Sequence, residues 1–290
     1  MAASSSLTHT ALAADLLNLW QEAFSVLARR TIILGTILIL GIVSIFSPYH
    51  SFAEEANENT GVGEFHYFRV TDPIGFVTAI ETHYASDCAA NWQRASGAIV
   101  LLAQLSGDQA THMIYVGYPN YAKMAEGRGL FRSCVETASM IKTINNTTDT
   151  DSYSNVILEA VTSFNSEAIQ KYYVKTDITI DRGNESDYSN AFVKFVNDYS
   201  SSQMSEGDSS GSFVSNSHHG INRLLFGNEN VSHYVYFGGE NLDDLILNMK
   251  AMLSSQDYVN FSKSVAPSRT VHNTALMEVL RFYPIERESD

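Results

Sequence analysis

Two glutamates, two histidines and two tyrosines recur at matched places in this sequence. Glu159 stands in Val156 to Val161 (VILEAV), and Glu278 stands in Ala275 to Leu280 (ALMEVL). In a strand each shares a face with apolar residues two positions away: Ile157 and Val161 for Glu159, Leu276 and Leu280 for Glu278. A carboxylate in such a row either lines a cavity or sits at a strand end facing water. Inside a cavity, burial raises its pKa and suits it to proton transfer, which makes Glu159 and Glu278 the candidate catalytic residues. His112 and His233 head two related runs, Thr111 to Gly117 (THMIYVG) and Ser232 to Gly238 (SHYVYFG). An internal imidazole pair can hold haem or a metal, whereas a histidine at a strand start can equally be a hydrogen-bonded structural residue. Tyr115 and Tyr236 fall on the opposite strand face from the histidines, beside Met113 and Tyr234. Only one face can look inward, and periodicity does not decide which.

Further candidates stand outside these runs. Trp92, in Asn91 to Arg94, either caps a cavity mouth or covers a core edge. His218 and His219 precede Gly220 at the end of a Ser-rich stretch, 200–219, whose composition reads as a solvated surface loop. Cys88 and Cys134 are the two cysteines. They allow one disulfide in an oxidising compartment or remain two buried thiols, and no His or Cys stands near either at zinc-site spacing. Gly127, Arg128 and Gly129 suggest a local kink or break in a helix. No phosphate-cradling glycine loop, Gly-x-Ser-x-Gly elbow or His-Glu-x-x-His helix is present.

These residues are carried by an internal repeat. Besides the two runs already described, Tyr67 to Asp72 (YFRVTD) matches Tyr172 to Asp177 (YYVKTD), and Phe76 to Tyr84 (FVTAIETHY) matches Phe192 to Tyr199 (FVKFVNDY). Four blocks in one order point to a duplication. Within the first copy an alternating strand is followed by a helix with Phe76, Val77, Ile80 and Tyr84 on one face. Strands over Ala98 to Leu105 and Thr111 to Gly117 are joined through the turn-forming Ser106, Gly107 and Asp108. A helical stretch from about Asn120 to Lys142, a polar loop over Ile144 to Ser154 and a strand over Asn155 to Phe164 complete the unit. The order β-α-β-β-α-β is the ferredoxin-like arrangement, so the fold class is α+β, with units over 64–165 and 166–290.

Two such units in one chain resemble the dimeric α+β barrel superfamily, which includes antibiotic-biosynthesis-type monooxygenases and haem-degrading monooxygenases. The resemblance covers residues 64–284 and rests on element order and duplication. It implies two four-stranded sheets closed into one barrel within the chain. It also admits haem as a cofactor, as in related haem peroxidases and chlorite-dismutase-like proteins, though no proximal histidine in a recognisable context is present. With Tyr67, Phe68, Tyr115, Tyr172, Tyr173, Tyr234 and Tyr236 available to line an apolar space, the expected activity is binding of a small apolar or aromatic molecule by a monooxygenase-like barrel. The alternative is a non-catalytic interaction or structural protein of the cell envelope.

The N-terminal region reads as an export signal. Residues 31–47 (TIILGTILILGIVSIFS) are apolar and uncharged, follow Arg29 and Arg30, and precede Ser51, Phe52 and Ala53. Cleavage after Ala53 releases a periplasmic or secreted body, and retention of 31–47 anchors it to the membrane. In both cases the body crosses the membrane. Residues 54–63 form a linker. The whole chain carries 18 basic and 32 acidic residues, a net charge of −14. Such a surface repels phosphate backbones, so nucleic acid is not an expected partner.

Overall fold

The computed structural model describes residues 61–166, 169–205, 216–227 and 230–284. The signal or anchor segment and most of the linker lie outside the described residues, as does the middle of the Ser-rich stretch. The first unit runs β1 (Val62–Val70), α1 (Pro73–Tyr84), α2 (Asp87–Ser96), β2 (Ile99–Ser106), β3 (His112–Tyr118), α3 (Tyr121–Ser133), α4 (Val135–Thr147) and β4 (Thr148–Phe164). The second runs β5 (Tyr172–Ile180), α5 (Glu185–Ser205), β6 (His219–Phe226), β7 (His233–Gly239), α6 (Leu242–Ser254), α7 (Gln256–Val265) and β8 (Arg269–Tyr283).

All eight strands close into one barrel in the order β1-β3-β2-β8-β5-β7-β6-β4, with antiparallel neighbours. Each unit supplies four adjacent strands in the ferredoxin-like order, and β2–β8 and β4–β6 are the two seams between units. The architecture is that of the dimeric α+β barrel, realised within one chain. Closure leaves no open sheet edge, which would otherwise invite pairing with other chains.

Strand pairing gives the alignment of the two copies. Val62 lies opposite Tyr118 and Glu159, and Tyr172 lies opposite Gly239 and Glu278. Glu159 and Glu278 are therefore equivalent, and so are His112 and His233. The match of Tyr67 with Tyr172 is corrected: Val62 is the equivalent of Tyr172, and Tyr67 is the equivalent of Asp177. The five-residue difference turns the strand over, so that Tyr67 faces the barrel interior and Tyr172 faces out.

Local signals set the helices. Asp72 caps α1 by accepting from Gly75 N at 3.0 Å, with Pro73 at the first turn. Asn120 and Asn241 cap α3 and α6, and these helices span matching ranges 121 residues apart. The long helix expected over about Asn120 to Lys142 is broken at Cys134, whose extended backbone separates α3 from α4. Asn91 to Arg94 lie in α2 and not in a loop, and Ser200 to Ser205 continue α5. The polar loop expected over Ile144 to Ser154 is replaced by regular structure: 144–147 end α4, and 148–154 extend β4 beyond a bulge at Tyr67 to Arg69.

Gly127 does not kink α3, which continues to Ser133. It allows close approach: a Cβ there would lie 2.7 Å from a Tyr118 ring carbon and 2.9 Å from Ser96 Cβ. Replacing a mid-helix glycine by alanine ordinarily stabilises by up to about 1 kcal/mol. Here Gly127→Ala is expected to destabilise by about 1–3 kcal/mol through overpacking. A urea midpoint equal to or above that of the native chain would contradict this packing.

Candidate functional site

The recurring glutamates do not line the barrel interior. Glu159 lies on the helix side of β4, where it accepts from Tyr121 OH and Arg223 Nη2, each at 2.5 Å. Burial acts to raise its pKa, but those two donors and the Arg223 charge outweigh burial and hold it below the usual carboxylate value. Glu278 is 3.2 Å from Lys171 Nζ and well exposed. The expectation of raised-pKa carboxylates in a cavity is thus corrected: alternation puts Leu158 and Met277 inside, and the glutamates outside among charged partners.

His112 and His233 occupy equivalent structural positions. Thr111 Oγ1 accepts from Val70 N at 2.9 Å and lies 3.0 Å from His112 Nδ1, while Ser232 Oγ accepts from Ile180 N at 2.9 Å and lies 2.8 Å from His233 Nδ1. Both rings are buried on the helix side, His112 5.5 Å from the Phe76 ring. Burial lowers both pKa values, that of His233 to about 4 with help from the Arg223 charge. In each copy the hydroxyl ties the strand start to the neighbouring strand and the ring contacts that hydroxyl, and neither ring lines the pockets described below. His218 and His219 are not solvated either. The hydroxyls of Tyr173 and Tyr236 sit 2.9 and 3.1 Å from the two nitrogens of His218, while His219 stacks on Phe164 at 4.7 Å and Phe237 at 5.5 Å.

Tyr115 and Tyr236 do face the interior, but they help to fill it. Phe65 meets Tyr115 at 5.2 Å and reaches across to Tyr234 of the other unit at 5.3 Å. Tyr234, Tyr236, Tyr173, Met113, Leu158 and Met277 belong to the same buried cluster. The middle of the barrel is a packed aromatic core, so the expected ligand space between the sheets is corrected. Phe68 and Tyr172 are on the outside.

Space opens elsewhere among the described residues, and two pockets bear on function. At the barrel end formed by the β2–β3 turn, a pocket of about 700 Å³ is lined by Tyr67, Asp108, Lys175, Asp177, Leu224 and Asn273 among others. Lys175 is only 4 % exposed, is ion-paired with Asp177, and lies 5.7 and 5.3 Å from the ring centres of Tyr67 and Tyr234. The equivalent positions in the first copy are Phe65 and Tyr67. The barrel thus accommodates uncharged side chains at these positions, and the ion pair is particular to the second copy.

The larger pocket, about 880 Å³, lies between the outer face of the first unit's sheet and helices α3 and α4. Phe68, Ile114, Val116, Phe131, Met140 and Ile144 supply its apolar walls. At one side Arg128 Nε donates to Glu64 Oε1 at 2.9 Å, and His66 Nε2 lies 3.4 Å from the other Glu64 oxygen. Burial opposes ionisation of Glu64, yet the His66 and Arg128 contacts together hold its pKa down at about 2. Trp92 and Thr137 also line this pocket, and their buried Nε1 and Oγ1 have no hydrogen-bond partner among the described residues. Of the candidate lining residues singled out in the sequence, Trp92 and Phe68 are brought to this pocket. Cys88, on α2, is joined by a disulfide to Cys134, the residue between α3 and α4, and so ties together two of the helical segments beside it.

Glu64, Arg128, Lys175 and Asp177 escaped the sequence reading. The available signal was a charged residue inside an otherwise apolar strand, Glu64 in GEFHYF and Lys175 in YYVKTD. No protein-family model matches the chain, and no curated protein matches it in sequence. Among solved structures it is similar to an anthrone oxidase-like protein, at 11% identity and a TM-score of 0.49, covering 79% of this chain and 95% of that one. It is also similar to a haem-binding protein from Thermus thermophilus, at 11% identity and a TM-score of 0.41, covering 77% and 92%. A variant chlorite dismutase from Candidatus Nitrospira defluvii gives 13% identity and a TM-score of 0.44, covering 76% and 91%. At these identities and TM-scores no activity passes to this chain through the likeness.

Proposed function

We propose that this chain is an exported small-molecule-binding barrel whose ligand, apolar or aromatic in body, occupies the sheet–helix pocket of the first unit. The observation that carries the reading is the pocket itself, with apolar walls, a volume of about 880 Å³ and a charged side at Glu64, Arg128 and Arg132. Its size is within the range of about 300–1,000 Å³ typical of small-molecule sites. The second copy supports the choice. There the corresponding helices α6 and α7 place Met252, Phe261 and Val265 in one buried cluster with Val235 and Phe237.

Haem does not fit this pocket as its residues stand. His66 is the one histidine among the lining residues, and both its nitrogens are engaged, Nδ1 by Tyr153 OH at 2.9 Å and Nε2 beside Glu64. What the chain's own groups supply is enclosure by the apolar walls and orientation by the polar ones.

Ala138 tests the reading, because it lines the pocket yet is exposed on α4. Ala138→Trp is expected to leave stability within about 0.5 kcal/mol. It should weaken binding of the uncharged fluorescent probe N-phenyl-1-naphthylamine by about tenfold or more, a loss of at least about 1.4 kcal/mol. Absence of probe binding to the native chain, or equal binding by both forms, would refute the assignment. Export is checked separately by N-terminal sequencing of the body recovered from cells, which should begin at Glu54.

A further inference from the structure

We infer that the ligand of this pocket carries an anionic head, a carboxylate or a group of equivalent charge, received by Arg128 and Arg132. The inference rests on the pocket assignment just made and adds the chemistry of the ligand's polar end. Both arginines line the pocket, one turn apart on α3, a spacing that puts them on one helix face. Arg128 uses Nε on Glu64, and its terminal nitrogens have no hydrogen bond among the described residues. Glu64 is held ionised and offsets one of the two guanidinium charges, so one positive charge at this side of the pocket has no matching anion among the described residues. That is unusual placement on a chain of net charge −14. A planar guanidinium fork is also the side chain best shaped to receive a carboxylate.

The duplication provides an internal control. Helices α3 and α6 correspond residue for residue, both starting after a capping asparagine, so Arg128 and Arg132 stand where the second copy has Met249 and Leu253. Strand pairing likewise places Glu64 opposite Val116 and Val174 opposite Phe237, which makes Val174 the counterpart of Glu64. The unit therefore folds with apolar residues at all three positions. The charges are confined to the copy that has the open pocket, which separates them from the requirements of the fold. Their cost in that copy, desolvation of Glu64 and of part of Arg128, is offset in the complex by a ligand anion.

The probe is 11-(dansylamino)undecanoic acid, compared with its methyl ester, titrated by fluorescence into the full chain at neutral pH and low salt. The acid is expected to bind at least about tenfold more tightly than the ester, as a charge-assisted hydrogen bond implies. The variant carrying Glu64→Val, Arg128→Met and Arg132→Leu should bind the acid and ester equally, and retained ester binding shows that its pocket is intact. Equal affinity of the native chain for acid and ester overturns the anionic head while leaving the pocket reading in place. Failure of both probes to bind overturns both. A preference for the acid that survives in the triple variant places the anion elsewhere and overturns the role of these arginines.

Discussion

Lys175→Met is expected to destabilise the protein by about 3–5 kcal/mol, the usual result of breaking a buried ion pair from one side. Lys175 is nearly inaccessible, its partner Asp177 retains only a small exposed fraction, and both lie inside the barrel. The single substitution leaves a carboxylate there without its cation. The double variant Lys175→Met with Asp177→Leu should recover most of that loss, since the equivalent positions in the first copy, Phe65 and Tyr67, are filled without an ion pair. Urea unfolding of both variants decides the matter. A loss below about 1 kcal/mol in the single variant would show that Asp177 reaches water or another donor, contrary to the geometry described.

Removal of the disulfide is the second large effect. The Cys88–Cys134 bridge closes a loop with a sequence separation of 46. A loop of that length gives about 4 kcal/mol in the chain-entropy account of crosslinks. Cys88→Ala with Cys134→Ala should lower stability by that order, and addition of reductant to the native chain should produce a comparable shift in the urea midpoint. Because the bridge joins α2 to the break between α3 and α4, its loss should also weaken probe binding in the adjoining pocket. Unchanged stability in both experiments would contradict a bridge that constrains the unfolded chain.

The parts of this molecule legible in its sequence are those with local or repeated signals. Asn120 and Asn241 mark two helix starts, and the surroundings of Glu159 and Glu278 and of His112 and His233 correctly align their strands across the duplication. The β-α-β-β-α-β order follows from these, and closure into one barrel is what the fold resemblance implies. The first strands were illegible for a physical reason. In β1 and β5 one face packs in the barrel and the other packs under helices, so apolar residues occur on both and alternation loses its meaning. A five-residue slip consequently reverses Tyr67 against Tyr172 with no penalty visible in composition. The same ambiguity hid Glu64 and Lys175, because a lone charge in an aromatic strand does not reveal which partner neutralises it. Arg128 is 64 residues from Glu64, and Asp177 is only two from Lys175. Glu159, Glu278, His112 and His233, expected to form sites, make matched contacts in the two copies, the glutamates with basic side chains and the histidines with the hydroxyl of the preceding residue. What differs between the copies is better evidence of specialisation: Glu64 against Val174, Arg128 against Met249, Arg132 against Leu253.

The direct measurement is a crystal structure of the full chain with 11-(dansylamino)undecanoic acid bound. The predicted result is density for the probe between β1, β3 and helices α3 and α4, its apolar part against Ile114, Val116 and Met140 and its carboxylate at Arg128 and Arg132. Density at the barrel end beside Lys175, with the sheet–helix pocket unchanged, would contradict the account.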